Sequence, residues 1–255
     1  MKQAAGKVFL IGAGPGAPDL ITLRGAEVLK RADIVFHDAL VHPGVIALAG
    51  RAEKIAVGKR CGRHATAQQF INKRLVDAAR KHRVVIRLKG GDPLLFGRAQ
   101  EEIAALEAAR VPYEIVPGVT AALAAAAEAG VSLTQRGVAR SVAFVTPRVG
   151  EGAAPSEWAK IAAAADTTVI YMGAGQAREI TAALLAAGAP RGSPVLVVEN
   201  ATLPEARRIA LTLAELPRIA KSGITGPVVI MLGAVFAAAS ATTAESADLP
   251  ACRTA

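Results

Sequence analysis

Aromatic side chains are scarce in this chain, with Phe, Tyr and Trp together making up 4% of its 255 residues. That scarcity leaves few platforms for stacking bases and argues against a nucleic-acid binder. Acidic residues are the minority charge, 21 against 30 Lys and Arg, and the net charge of +9 favours an anionic partner. The basic residues are dispersed rather than run together, so a polyanionic small molecule fits the charge at least as well as nucleic acid. Cysteine is nearly absent. Cys61 and Cys252 stand far apart, with no Cys-x-x-Cys or Cys/His ligand spacing. Neither a disulfide framework nor a zinc site is indicated, and no metal is expected. No apolar run is long enough to span a bilayer, since the stretch 227–239 is short and contains Gly233. The N-terminus runs straight into a strand pattern without a signal-peptide core. A soluble cytoplasmic protein with no membrane contact is the expectation.

What is abundant is small and aliphatic. Hydrophobic residues reach 52% almost without aromatics, which suits closely packed strands and helices of Ala, Val, Leu and Ile. Apolar stretches at 7–11, 33–37, 84–89 and 113–116 alternate with helical patterns at 20–31, 71–79 and 98–110. Residues 66–69 have the form of a capping box before the second of those helices. The alternation pauses at Pro117-Gly118, is followed by a helix over 120–129, and resumes with strands at 141–146, 168–172, 195–199, 207–211 and 228–232 and a helix at 176–187. Such a pattern predicts an α/β protein with largely parallel sheets and helices on their faces. It divides the chain into an N-terminal α/β domain over 1–116, a C-terminal α/β domain over 117–239 and a disordered tail over 240–255.

The stretch from Arg87 to Arg98 carries the most chemistry. An apolar strand runs into Gly90-Gly91-Asp92-Pro93 and then, past Phe96 and Gly97, into a helix. Paired glycines let backbone N–H groups approach a ligand with no Cβ in the way. Open α/β sheets bind ligands beyond the carboxyl ends of their strands. A tight structural turn with a solvated aspartate is the alternative, and the four residues alone do not separate the two.

Gly12-Ala-Gly-Pro-Gly-Ala17 follows a strand and satisfies Gly-x-Gly-x-x-Ala, with Asp38 at the next strand end. On that motif a flavin- or nicotinamide-dependent oxidoreductase stands as a rival function. Against it, Pro15 removes an N–H from the cradle, and Pro18 with Asp19 delays the helix whose N-terminus would hold a pyrophosphate. Asp38 can serve as a general base, grip a ligand hydroxyl or cap the next segment. Lys59 and Arg60, with Arg63 and His64, gather cations at another strand end. Arg98 and Glu101, one helical turn apart, can both face the glycine loop or simply form a surface pair. Arg136 sits in a loop, and Met172, at a strand end, can touch an adenine or a sulfonium or fill the core.

Taken in order, several motifs resemble the tetrapyrrole methylase family across residues 8–232. They are Gly12-Ala-Gly-Pro-Gly-Ala-Pro18 with Leu20-Ile-Thr-Leu-Arg-Gly25, Ala32-Asp-Ile-Val-Phe-His-Asp38, Val57-Gly-Lys59-Arg, Leu88-Lys-Gly-Gly-Asp-Pro93 with Phe96-Gly-Arg98, Val116-Pro-Gly-Val-Thr-Ala121, Leu133-Thr-Gln-Arg136, Tyr171-Met172-Gly and Val198-Glu-Asn200. The resemblance implies two α/β domains with the cofactor in the cleft between them, in a homodimer. It implies transfer of methyl groups from S-adenosyl-L-methionine, with S-adenosyl-L-homocysteine as product. The substrate implied is the polyanionic uroporphyrinogen III, methylated successively at C2 and C7 to give precorrin-2 for cobalamin- or sirohaem-type biosynthesis; a methylase acting later on the corrin ring is the alternative within the family.

Residue by residue, the resemblance puts Pro15, Gly90, Gly91, Asp92, Leu95, Thr120, Ala121, Met172 and Ala201 on cofactor-binding positions. It makes Asp38 a proton acceptor and Lys59 a proton donor, and implicates Arg98, Glu101 and Arg136 in substrate binding or catalysis. The chain departs from the family at Thr146-Pro147-Arg148, where Thr-Gly-His is frequent, and at Ala201, where Gly is common. A guanidinium is a poor base, so Asp38 is assigned proton removal. Arg98 and Arg136 are left to pair with substrate carboxylates.

Overall fold

The computed structural model describes residues 6–57, 68–149 and 156–238. Lys59, the neighbouring Arg60, Cys61, Arg63 and His64, the capping Thr66, and the tail over 240–255 with Cys252 lie outside the described residues. The chain divides into two compact units, Met1–Ala121 and Ala122–Ala255.

The first unit is built on five strands, β1 (Lys7–Gly12), β2 (Ile34–His37), β3 (Glu53–Ala56), β4 (Val84–Lys89) and β5 (Tyr113–Val116). They lie in the order β3-β2-β4-β1-β5, and every pairing is parallel. Parallel pairing delivers all the carboxyl ends to one edge of the sheet. Gly12 stands beside Lys89, and Ile11 beside Val116. The helices are α1 (Leu23–Leu29), α2 (Pro43–Ala47), α3 (Gln68–Ala79) and α4 (Ala99–Ala108).

Side chains alternate across a strand, so the inner strands β1, β2 and β4 each feed two cores. Val8, Leu10 and Val85 join Ile71 and Leu75 of α3 and Ile103 and Leu106 of α4. Ile11, Ile86 and Leu88 join Val28 and Leu29 of α1 and Val45 of α2. Two local details differ from the expected pattern. The helix expected over 20–31 starts only at Leu23, because the Thr22 hydroxyl accepts the Gly25 N–H at 3.1 Å and caps it there. Helix α2 was not anticipated: five residues are too few to show a period, and Pro43 with a capping His42 fixes it instead.

The second unit holds β6 (Val142–Val145), β7 (Thr167–Tyr171), β8 (Pro194–Glu199), β9 (Arg207–Thr212) and β10 (Val228–Gly233), in the order β6-β7-β10-β8-β9. Here only β6 and β7 run parallel, and the other pairings are antiparallel. The expectation of largely parallel sheets therefore holds for the first sheet and gives way to a mixed sheet in the second. The connection from β8 to β9 is too short for a crossover and forces a hairpin. Helices α5 (Ala121–Ala129), α6 (Trp158–Ala164) and α7 (Ala177–Ala186) complete the set. Ile170, Val195, Val197, Ile230 and Leu232 pack on Ile180 and Leu184 of α7 and on Leu213, Leu216 and Ile219.

Candidate functional site

Three glycine-bearing strand ends meet at the carboxyl edge of the first sheet. Gly14 and Gly91 exchange backbone hydrogen bonds of 2.7 and 3.3 Å, closing a two-residue antiparallel bridge beyond β1 and β4. Gly118, beyond β5, presses against Gly12 and Gly91. A Cβ on Gly12 would lie 2.5 Å from the Gly118 Cα and 2.6 Å from the Gly91 oxygen. Gly91 holds φ at +66°, a conformation glycine takes without penalty.

This packing decides how to read the Gly12 motif. The space a dinucleotide pyrophosphate needs over Gly12 is filled by the protein's own backbone. Pro18–Leu20 form a 3-10 turn, and α1 begins three residues later behind its own Thr22 cap. The geometry of a dinucleotide cradle is absent from this loop, and the oxidoreductase reading loses its support.

The Gly90 turn differs. A Cβ on Gly90 would meet nothing nearer than the Leu40 Cβ at 3.7 Å, and Gly90 is exposed. Behind it, the Cβ position of Gly91 is backed by the Thr120 Cα at 3.9 Å and the Ala121 N at 4.0 Å. The fold thus brings Gly90, Gly91, Thr120 and Ala121 to one place, with half-buried Pro15 and Leu95 on the adjoining loops. Asp92 acts first as a clamp. Its Oδ1 accepts the Leu94 N–H at 2.8 Å and its Oδ2 accepts the Gly118 N–H at 2.9 Å. Each oxygen keeps a second lone-pair site for a ligand.

Asp38 follows β2 at the same edge, its N–H bonded to the Leu88 carbonyl at 3.1 Å. Its carboxylate is not free in the loop: Oδ1 accepts from Nη2 of Arg87. Arg87 is buried, and its Nε donates to Glu102 at 2.8 Å; Glu102 in turn accepts from the buried Lys89 at 3.0 Å and from Gln68 at 3.2 Å. Burial by itself would lower the affinity of Arg87 for its proton, but the charges of Asp38 and Glu102 outweigh it and raise that affinity further. Burial and then the Arg87 charge hold the Lys89 ammonium below its ordinary range. Arg87, Lys89 and Glu102 were not singled out from the sequence. The signal was there: two cations at alternate positions of an apolar strand, and a carboxylate on the buried stripe Ala99, Glu102, Ile103, Leu106 of α4.

Arg98 and Glu101 are brought together with each other, in a two-pronged ion pair of 2.7 and 2.8 Å at the exposed start of α4. The Arg98 hydrogen bond is the main reason the Glu101 carboxyl lies below its usual range. Phe96 and Arg98 both adopt left-handed backbone, at φ 54° and 55°, an uncommon state for residues with side chains.

Within the second unit the remaining residues fall on turns. Arg136 is exposed at the tip of a turn closed by hydrogen bonds of 3.0 and 2.8 Å between Gln135 and Ala139. Met172 follows β7 at φ 58° and is 44% exposed, so it is not core. Ala201 follows β8 and is buried between Asn200 at φ 51° and Thr202 at φ 72°. A β-branched residue at positive φ is costly and concentrates at ligand-binding turns. Glu199 underpins that turn, accepting the N–H groups of Thr225 and Gly226, both at 2.7 Å, and pairing with Arg207. Among the described residues, no cluster of His, Cys, Asp or Glu is placed to hold a metal, and no helix is long and apolar enough to cross a membrane.

Residues 7–217 match the family model described as Tetrapyrrole (Corrin/Porphyrin) Methylases. A siroheme synthase of Azotobacter vinelandii is 44% identical over 235 residues, which is 91% of this chain and 51% of that protein. One from Cronobacter sakazakii is 45% identical over 231 residues, 90% of this chain and 49% of that protein. The chain spans about half the length of these curated relatives. Among solved structures, native uroporphyrin III C-methyl transferase from Thermus thermophilus matches with a TM-score of 0.80 at 40% identity, over 90% of this chain and 98% of that one. The same enzyme complexed with S-adenyl homocysteine gives the same figures. A cobalt precorrin-4 methyltransferase matches with a TM-score of 0.78 at 31% identity, over 89% of this chain and 94% of that one.

Proposed function

This chain belongs to the tetrapyrrole methylase family, and we propose that it methylates uroporphyrinogen III at C2 and C7, using S-adenosyl-L-methionine, to give precorrin-2. The observation that carries the proposal is the Gly90-Gly91 turn, open on the Gly90 side and backed by Thr120 and Ala121 at the carboxyl edge of a parallel sheet. That is where such sheets take ligands. Likeness to uroporphyrin III C-methyl transferase at 40% identity, against 31% for the cobalt precorrin-4 enzyme, favours this substrate over a later corrin ring. The siroheme synthases among the relatives support a place in sirohaem-type biosynthesis.

The residues present fit the cofactor. Gly90 and Gly91 offer backbone without side chains, Leu95 an apolar surface, and Asp92 the spare lone pairs of a fixed carboxylate. When bound, S-adenosyl-L-methionine supplies an electrophilic methyl group to a nucleophilic ring carbon. Asp38 then takes the proton the methylated ring must lose. Lys59, outside the described residues, keeps its proposed role as donor. Arg98 and Arg136 are proposed to pair with substrate carboxylates, and the net charge of +9 steers the polyanion inward. For Arg98 this means exchanging Glu101 for a substrate carboxylate. In the second unit, cofactor contact is assigned to Met172 and Ala201. A homodimer completes the proposal, tested by sedimentation.

The deciding experiment incubates the protein with uroporphyrinogen III and S-adenosyl-L-methionine and weighs the product. A gain of two methyl groups is expected, and no gain would end the proposal. Calorimetry with S-adenosyl-L-homocysteine tests the cofactor site alone.

A further inference from the structure

Lys89, Glu102, Arg87 and Asp38 form an alternating chain of four charges running to the carboxyl edge of the first sheet. Three of its members are almost fully out of water: Arg87 exposes 3% of its side chain, Lys89 2% and Glu102 none, while Asp38 exposes 31%. Taking ions out of water is costly, and apolar residues of similar volume often give equal or greater stability. Stability is therefore a weak account of this chain of charges. Its asymmetry is a better one, because the single wet end is the aspartate at the strand edge.

The geometry at that end is tightly determined. Arg87 uses Nη2 for Asp38 and Nε for Glu102, while Nη1 reaches the Leu88 carbonyl at 3.2 Å and the Phe36 carbonyl at 3.5 Å. A planar fork held on three sides cannot turn. Oδ1 of Asp38 is thereby fixed, and Oδ2 accepts no hydrogen bond among the described residues. Glu102 is itself held from both sides. Lys89 takes Oε2, Gln68 and Arg87 share Oε1, and Gly97 packs over the Lys89 stem, its Cβ position 3.0 Å from Lys89 Cε.

We propose that Arg87 and Glu102 are positioning residues for Asp38: Glu102 locks the guanidinium, the guanidinium holds Oδ1, and Oδ2 is presented in one orientation to receive the proton. This rests on Asp38 as the proton acceptor, and the test separates the two claims. The full chain is prepared as Asp38→Asn, Arg87→Lys, Glu102→Gln and the double variant Asp38→Asn/Arg87→Lys. Each is assayed for methyl transfer to uroporphyrinogen III, with S-adenosyl-L-homocysteine binding and thermal unfolding measured alongside.

Asp38→Asn is expected to lower kcat by about 100-fold or more, the range for a general base. Arg87→Lys keeps a charge but loses the fork, and lowers kcat about tenfold or more through misplacement. KM and S-adenosyl-L-homocysteine affinity stay within about twofold, a split that general loosening of the fold would not give. The double variant is no slower than Asp38→Asn alone, because no carboxylate remains to be aimed. Losses that multiply in the double variant overturn the positioning claim. So does wild-type kcat in an Arg87→Lys protein that binds S-adenosyl-L-homocysteine normally. Should Arg87→Lys fail to fold, Glu102→Gln, which keeps the side-chain shape, gives the same readout: lowered kcat at unchanged KM supports the positioning claim, and unchanged kcat sinks it. Wild-type kcat in Asp38→Asn would instead strike at the role of Asp38 itself.

Discussion

Gly118 packs backbone to backbone against Gly12, so closely that a Cβ on Gly118 would lie 2.7 Å from the Gly12 Cα and 2.3 Å from the Gly91 oxygen. The three loops that end β1, β4 and β5 are thus held by the absence of side chains, while the neighbouring Gly90 faces open space.

These two kinds of glycine separate fold from function. Gly118→Ala forces backbone to move and is expected to destabilise the protein by about 1–3 kcal/mol, as overpacking does. Gly90→Ala meets only the Leu40 Cβ at 3.7 Å, an ordinary contact. Its urea midpoint should match the parent, while its affinity for S-adenosyl-L-homocysteine falls by at least about tenfold, the 1.4 kcal/mol of one poor contact. Equal affinity in Gly90→Ala would remove Gly90 from the proposed cofactor site.

Asp92 ties the β4 and β5 loops through the N–H groups of Leu94 and Gly118. Asp92→Ala leaves both donors without that acceptor and is expected to cost about 1.5–3 kcal/mol, the range for bonds to a charged partner. Asp92→Asn should fall between, since its carbonyl can keep one N–H but its amide cannot accept the other. Urea denaturation orders the three proteins.

Much of the first domain was legible because its strands are short apolar runs separated by helical stripes, as at Ile71, Leu75, Ala78 and Ala79. The mixed character of the second sheet was not, since strand direction follows from connections and not from the strands' own residues. At the site, Asp38 and the Gly90-Gly91 pair stood out as polar or bare positions at strand ends. Arg87 and Lys89 were hidden by their apolar neighbours Ile86 and Leu88, although alternation puts them on the α4 face. Glu102 was hidden because two successive glutamates open α4, and only the helical stripe tells the buried one from the exposed Glu101. The Gly12 motif was ambiguous for a physical reason: close backbone packing and close ligand approach both require glycine, and only Pro15, Pro18 and Asp19 spoke against the ligand reading.

Glu199 gives a pH dependence. Burial alone would raise its pKa, but the N–H groups of Gly226 and Thr225, and then Arg207, outweigh that and lower it from the ordinary 4.5. A carboxyl with a depressed folded value contributes stability that is complete above the unfolded value and lost as pH falls through the folded one. Stability should therefore decline below about pH 4.5. Glu199→Gln should be less stable at neutral pH and show a shallower decline in acid. Parallel pH titrations of the urea midpoint test this, and identical acid slopes would count against it.

The buried charges around Glu102 make the sharpest stability prediction, because charge balance rather than the number of interactions decides the sign. Glu102→Leu leaves Arg87 and Lys89 as two buried cations facing only the partly exposed Asp38. Breaking such a set by removing one partner costs about 3–5 kcal/mol. Adding Lys89→Met removes the stranded ammonium and leaves Arg87 paired with Asp38 alone. The double variant should then be more stable than Glu102→Leu, a second deletion that restores what the first removed. The Lys89 ammonium is already held below its ordinary 10.5, by burial first and the Arg87 charge next. In such a group the unfolded chain binds the extra proton, so stability rises as pH climbs from the folded value toward 10.5. In Glu102→Leu, where Lys89 has lost its carboxylate, that rise should begin at lower pH than in the parent, and it should be absent from the double variant. Urea midpoints of the three proteins across neutral to alkaline pH decide the matter. A double variant less stable than Glu102→Leu would mean that Lys89 stabilises the core through its packed stem and not through its charge.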